Sequence, residues 1–232
     1  GWSPIKYPSG SSARPPPRAR ERHSRTAAAQ RYYVQAARLA DEAGDPLTRA
    51  SALRSLAVQA LELGHAAPAL DLADAAAQAA RGHCPVRQQA WITGIQAEAH
   101  AAAGDGAAAR TSLRAAERGV ERADSPAGWS GGYVAASWQH QTGLALGHLG
   151  NLNAAELHLA AAAAGRTPNE NRTRTLITVR LAAVQVRRGH LDAAAATIAA
   201  LGTDLALVDC ARVRTELAAL RDACDRTGPP RW

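Results

Sequence analysis

Four glycines set the limits on what this chain can fold into. Gly64, Gly104, Gly150 and Gly189 each end an Ala-rich helical pattern, and each is followed five residues later by an alanine: Ala69, Ala109, Ala155 and Ala194. Their spacings are 40, 46 and 39 residues. A tight turn between two helices needs a residue that accepts the left-handed region, and glycine does so at no steric cost. Where the second helix crosses the first closely, its contact position must be small. The period therefore predicts a helix-turn-helix repeat array in which each unit packs on its neighbours.

Composition agrees. Hydrophobic residues make up 47% of the 232-residue chain, with no Phe or Met. A core of Ala and Leu implies many close helix contacts, and the scarcity of β-branched and aromatic residues argues for an all-α fold. Lys6 is the only lysine among 27 basic residues, an Arg, Ala and Gly bias typical of a GC-rich bacterial genome. Of the net charge of +7, residues 1–31 carry +6, through Lys6, Arg14, Arg18, Arg20, Arg22, Arg25 and Arg31 against Glu21. A basic tail on a near-neutral body is not the charge pattern of a folded nucleic-acid reader. No apolar run reaches membrane-spanning length, and no signal-peptide pattern is present.

The punctuation predicts a Pro/Arg-rich disordered tail over residues 1–23, a helical domain over 24–226 and a flexible end over 227–232. Asp45-Pro46 reads as an N-cap with Pro at the first helical position. Helices are expected over about 46–63, 66–81, 85–103 and 107–122, then from near Tyr133 to Leu149, with residues 123–132 a loop. Asn153 with Glu156 reads as a cap for a helix to about Ala164. Thr167-Pro168-Asn169-Glu170 combines cap, Pro and capping-box acid for a helix to Arg188, whose partner covers about 191–201. A last run, Leu205 to Cys224, has no following partner and reads as a capping helix. Cys210 and Cys224 would share that helix about 21 Å apart, too far to bridge. With Cys84 they read as reduced thiols of a cytoplasmic protein.

In register with the glycines, a small residue stands seven before, and apolar or Ala positions stand nine and twelve after. Around Gly150 these are Gly143, Leu159 and Ala162, and around Gly104 they are Ala97, Leu113 and Ala116. This pattern resembles tetratricopeptide repeats, which implies a right-handed α-solenoid of helix pairs closed by a C-terminal cap. A narrower resemblance lies in Ala29-Gln30-Arg31-Tyr32-Tyr33-Val34-Gln35-Ala36. With Ala43-Gly44-Asp45, Glu98-Ala99-His100-Ala101 and Ala115-Ala116-Glu117, it is similar to the C-terminal repeat domain of actinobacterial helix-turn-helix regulators of the XRE type. That resemblance implies the sensor or dimerisation half of a transcriptional regulator, with DNA reached only through another domain, one expected to precede this region. A free-standing scaffold that holds another protein is the alternative. Coding sequence continuing upstream of Gly1 into a helix-turn-helix domain would favour the first, and a start codon just before Gly1 the second.

Chemistry of other kinds is weakly signalled. His65, His83, His100, His140, His148, His158 and His190 never cluster at metal-ligand spacing with Cys or acids, and no cofactor motif is present. No Ser, Cys or Lys nucleophile has a local base, so no enzyme is expected. Counting back from each glycine places Arg54, Trp91, Glu98, His140, Gln141, His148, Arg180 and Arg187 on the face lined by the first helices. Taken singly, such residues are more often a solvated helix face, and Trp91 fits the core equally. Trp129 and Tyr133 could rim the face. Arg54, Glu98, His140 and Arg180 should share one wall, whose mixed charge suits a protein, a peptide or a small polar effector rather than a nucleic-acid backbone. Trp91→Ala and Arg180→Ala are expected to weaken partner binding at little cost in stability. A homodimer remains open.

Overall fold

The computed structural model describes residues 17–122 and 133–227. Among them are eleven α-helices: α1 Pro17–Glu42, α2 Pro46–Glu62, α3 Ala66–Ala80, α4 Val86–Ala102, α5 Gly106–Glu121, α6 Ala135–His148, α7 Leu152–Ala164, α8 Asn171–Arg187, α9 Leu191–Ala199, α10 Gly202–Leu207 and α11 Ala211–Thr227. Successive helices pack as antiparallel pairs, α2 with α3, α4 with α5, α6 with α7 and α8 with α9. The architecture is all-α and consistent with a helical repeat array. No described helix is long and apolar enough to cross a membrane.

The turns follow the glycine register. Gly104 and Gly150 have φ of 86° and 78°, with nothing within 4 Å of where a Cβ would stand, so backbone conformation alone selects glycine there. Just after each turn, Ala69, Ala109 and Ala155 are fully buried. Asp45 accepts from the Thr48 N–H at 3.0 Å and Asp105 from Ala108 at 2.9 Å, capping α2 and α5. Each pair then closes on Ala and Leu. Leu56, Ala57, Ala60, Ala69, Leu72 and Ala73 pack between α2 and α3, and Ala155, Leu159, Ala162 and Ile177 join α7 to α8.

Four expectations need correction. Helix α1 begins at Pro17, seven residues before Ser24, where proline occupies a first helical position and Ala and Arg follow. Helix α7 is capped by Asn151, which accepts from Ala154, and not by Asn153. The turn at Gly150 leads straight into that cap, which frees Glu156 to bind Gln185 and Arg188. The Thr167/Glu170 capping box forms, but around a 3-10 turn at Pro168–Glu170 that runs on into α8. The helix expected to start near Tyr133 does so, at Ala135, with Tyr133 in the connection before it. Finally, the run from Leu205 breaks after Leu207. Cys210 therefore lies before α11, off the helix that carries Cys224, and all three cysteines are free thiols. Residues 1–16, 123–132 and 228–232, with most of the expected tail and Trp129, lie outside the described residues.

Candidate binding wall

The first helices of the pairs stand in a row, with α2 on α4 and α4 on α6. Arg180 and Arg187 of α8 then reach His140 and Gly147 of α6, and α11 packs beyond α8 through Val213 and Leu220. Neighbouring helix axes lie about 8–10 Å apart, so a flat row would separate α2 from α8 by about 25–30 Å. Instead Arg180 Nη2 lies 3.7 Å from Glu62 Oε1 of α2, and Arg212 Nε of α11 lies 2.5 Å from the same oxygen. The row must curl until its ends touch. Side chains on its inner face therefore crowd into a concave, partly dehydrated wall.

At the α2–α4 end, the Arg54 guanidinium stacks 3.7 Å above the Trp91 ring, and its Nε donates to the Trp91 carbonyl at 3.2 Å. Trp91 packs in turn against the core of Ala50, Ala76 and Ile92, so it serves core and wall together. Burial lowers the Arg54 pKa to about 10, with Tyr133 and Glu98 opposing, and the group stays cationic at neutral pH. Glu98, two turns along α4 from Trp91, is 8% exposed. Desolvation lifts its pKa to about 7 and outweighs the pull of Arg180, Arg54 and Arg212.

The α6–α8 end is tied. Arg180 donates from Nε to Glu216 of α11 at 2.7 Å and from Nη1 to the His140 Nε2 at 3.2 Å. Burial first, then Arg180, Arg166 and Arg212, holds His140 well below its usual pKa, so its ring is neutral and can accept that bond. Glu62 is raised by burial against the pull of Arg212 and Arg180. Arg180 thus joins α2, α6, α8 and α11. Its removal would cut the contacts that tie these four helices together, although Glu62 would keep Arg212, so it is a structural tie and a poor test of binding alone.

The other sequence-derived residues divide. His148 is exposed, and desolvation, Arg187 and Arg180 lower its pKa in that order. Arg187 donates to the Gly147 carbonyl at 3.0 Å near the end of α6. Gln141 is enclosed behind the wall at 6% exposure, against Gly94. Tyr133 is buried, not at a rim. Its carbonyl accepts from Arg87 Nη1 at 2.9 Å, and burial raises its phenol pKa.

Glu62, Arg212 and Glu216 were not singled out by the sequence. Glu62 was within reach: it stands two residues before Gly64, the register that His148 and Arg187 hold before Gly150 and Gly189. Arg212 and Glu216 lie beyond the last turn glycine, where no register extends. Among the described residues no group of three His, Cys, Asp or Glu converges as metal ligands. What the wall presents is paired charge, a stacked guanidinium and a titratable acid. Compared with family models, curated proteins and solved structures, the chain gives no significant match.

Proposed function

We propose that this chain is the ligand-holding module of a bacterial transcriptional regulator, a right-handed tetratricopeptide-type solenoid that acts as its sensor or dimerisation half. The observation that carries the reading is the curled wall, on which Glu98 is buried and Arg54, His140 and Arg180, from three other first helices, are partly buried. Such side chains cost free energy to bury, and a surface built from them recognises charge rather than merely packing. The repeated Gly/Ala register and the stretch Ala29–Ala36 support the family assignment. Near-neutral charge outside residues 1–31 supports a protein, peptide or small polar effector as the ligand, with DNA contacted through a separate helix-turn-helix domain.

Photo-cross-linking tests the wall. A photoreactive residue at His148, exposed on the wall, should capture a partner from host extract. One at Leu157, which is 72% exposed on α7, should not. Capture at Leu157 alone, or at neither, contradicts the reading. Coding sequence running upstream of Gly1 into a helix-turn-helix domain would support the regulator, and a start codon immediately before Gly1 would favour a free-standing scaffold.

A further inference from the structure

Two acid–arginine sets line the wall, and they differ in how they are satisfied. Glu62 and Arg180 are both taken by α11, whose Arg212 meets Glu62 and whose Glu216 meets Arg180. Arg212 and Glu216 stand four apart, so one helical face delivers a cation and a carboxylate together. Glu98 and Arg54 have no such counterpart. The Glu98 carboxyl, in a residue only 8% exposed, feels Arg180, Arg54 and Arg212 through space but makes no hydrogen bond or ion pair within contact distance with any described residue. Arg54 uses its Nε and its flat face on Trp91, and no described group accepts from its two terminal nitrogens. Held on the indole, Arg54 does not close the ion pair with Glu98 that would offset the burial of both.

The space behind them repeats the pattern. A Cβ on Gly94 would lie 1.9 Å from Gln141 Oε1 and 2.4 Å from the Tyr133 hydroxyl, so these two atoms fill the place of a missing side chain. Both are enclosed, and neither has a hydrogen-bond partner among the described residues. Buried polar groups are paired in the great majority of cases. Here two, from α6 and the segment before it, meet at Gly94, one helical turn along α4 from Glu98, without a partner among the described residues.

We infer that Arg54 and Glu98 form a site for a small zwitterion, an amino acid or short peptide whose carboxylate meets the Arg54 fork and whose ammonium meets Glu98. The guanidinium fork suits a carboxylate, and a carboxylate is the natural counterpart of an ammonium. Trp91 and Glu98 are seven residues apart on α4, about 10 Å along the helix, which bounds the ligand at about three extended residues. The inference rests on the wall being a binding surface and names the ligand chemistry at one end of it.

The probes are alanine, dialanine, trialanine and tetraalanine, titrated calorimetrically into the full chain. They carry both charges and almost no side chain, so their length reads the charge separation the site accepts. A free amino acid as natural ligand puts the optimum at alanine, and a peptide puts it at two or three residues. Acetylating the amine or amidating the carboxylate should each weaken binding at least about tenfold. Arg54→Gln should abolish the penalty of amidation alone, and Glu98→Gln that of acetylation alone, with helical circular dichroism unchanged. A purely structural role does not produce that crossed pattern. The inference is overturned if no length binds, if free and blocked ligands bind alike, or if either variant weakens all ligands equally. Capture at His148 with no oligoalanine binding leaves the wall reading standing and removes this one. Failure of both removes both.

Discussion

Inside each helix pair the contacts are alanine and leucine, and across the wall they are arginine, glutamate, tyrosine and histidine. The pair interface between α6 and α7 closes on Leu159 and Ala155, both fully buried, with Gly143 making room for Leu159. On the wall, Glu98 is nearly as buried and makes no hydrogen bond or ion pair within contact distance among the described residues. The two regions divide the work. Pair interfaces bury apolar area and hold the array together, whereas the wall, on the function proposed above, gives up stability to keep charge where a ligand would meet it.

Leu159→Ala is the largest test of that division. It empties a packed, fully buried position and should cost about 2–5 kcal/mol in denaturant melts. A loss below about 1 kcal/mol would mean that the pair interfaces do not carry the fold. Gly94→Ala comes next, because its Cβ would press on Gln141 and Tyr133. Overpacking of this kind costs about 1–3 kcal/mol, and unchanged stability would show that the space beside Gly94 is loose.

Glu98→Gln should work in the opposite direction and depend on pH. The ordinary value for this carboxyl is 4.5, and in the fold it is raised to about 7. The folded chain thus holds a proton that the unfolded chain has released, and wild-type stability falls as pH rises through that window. The groups facing Glu98 are Arg180 of α8, Glu62 and Arg54 of α2 and Arg212 of α11. The depressed His140 titrates in both proteins and cancels in the difference. Glu98→Gln should match wild type near pH 4.5 and exceed it above pH 7 by on the order of 1–3 kcal/mol. A pH-independent difference would mean that Glu98 is solvated. Smallest is Gly147→Ala, on the same helix as Gly143 but with nothing closer than 3.7 Å to its Cβ. It should stabilise by about 0.5–1 kcal/mol through helix propensity alone, and a loss would reveal a contact there.

The same comparison explains what could be read from the chain before folding. Gly104 and Ala109 were legible because a turn and the crossing after it are decided within a few residues. So was the cap at Asp45. The caps at Asn151 and Asn153 could not be told apart by residue type, since the choice depends on where the Gly150 turn delivers the chain. The break after Leu207 carries no glycine or proline and follows from α11 packing its Val213 and Leu220 against α8. On the wall, Arg54, Trp91, Glu98 and His140 could be listed from register, but their partners could not. Whether Arg180 meets Glu62 depends on the curl accumulated over three pairs, and Arg212 and Glu216 enter only because α11 continues the row.

The most direct measurement is the titration of the Glu98 side chain followed by its carboxyl carbon in NMR. A midpoint near 7 that shifts downward when an ammonium ligand binds is the result expected of an enclosed acid waiting for a cation. A midpoint near the ordinary 4.5, unmoved by ammonium ligands, would show that Glu98 is solvated or already paired, and the wall would lose its recognition chemistry.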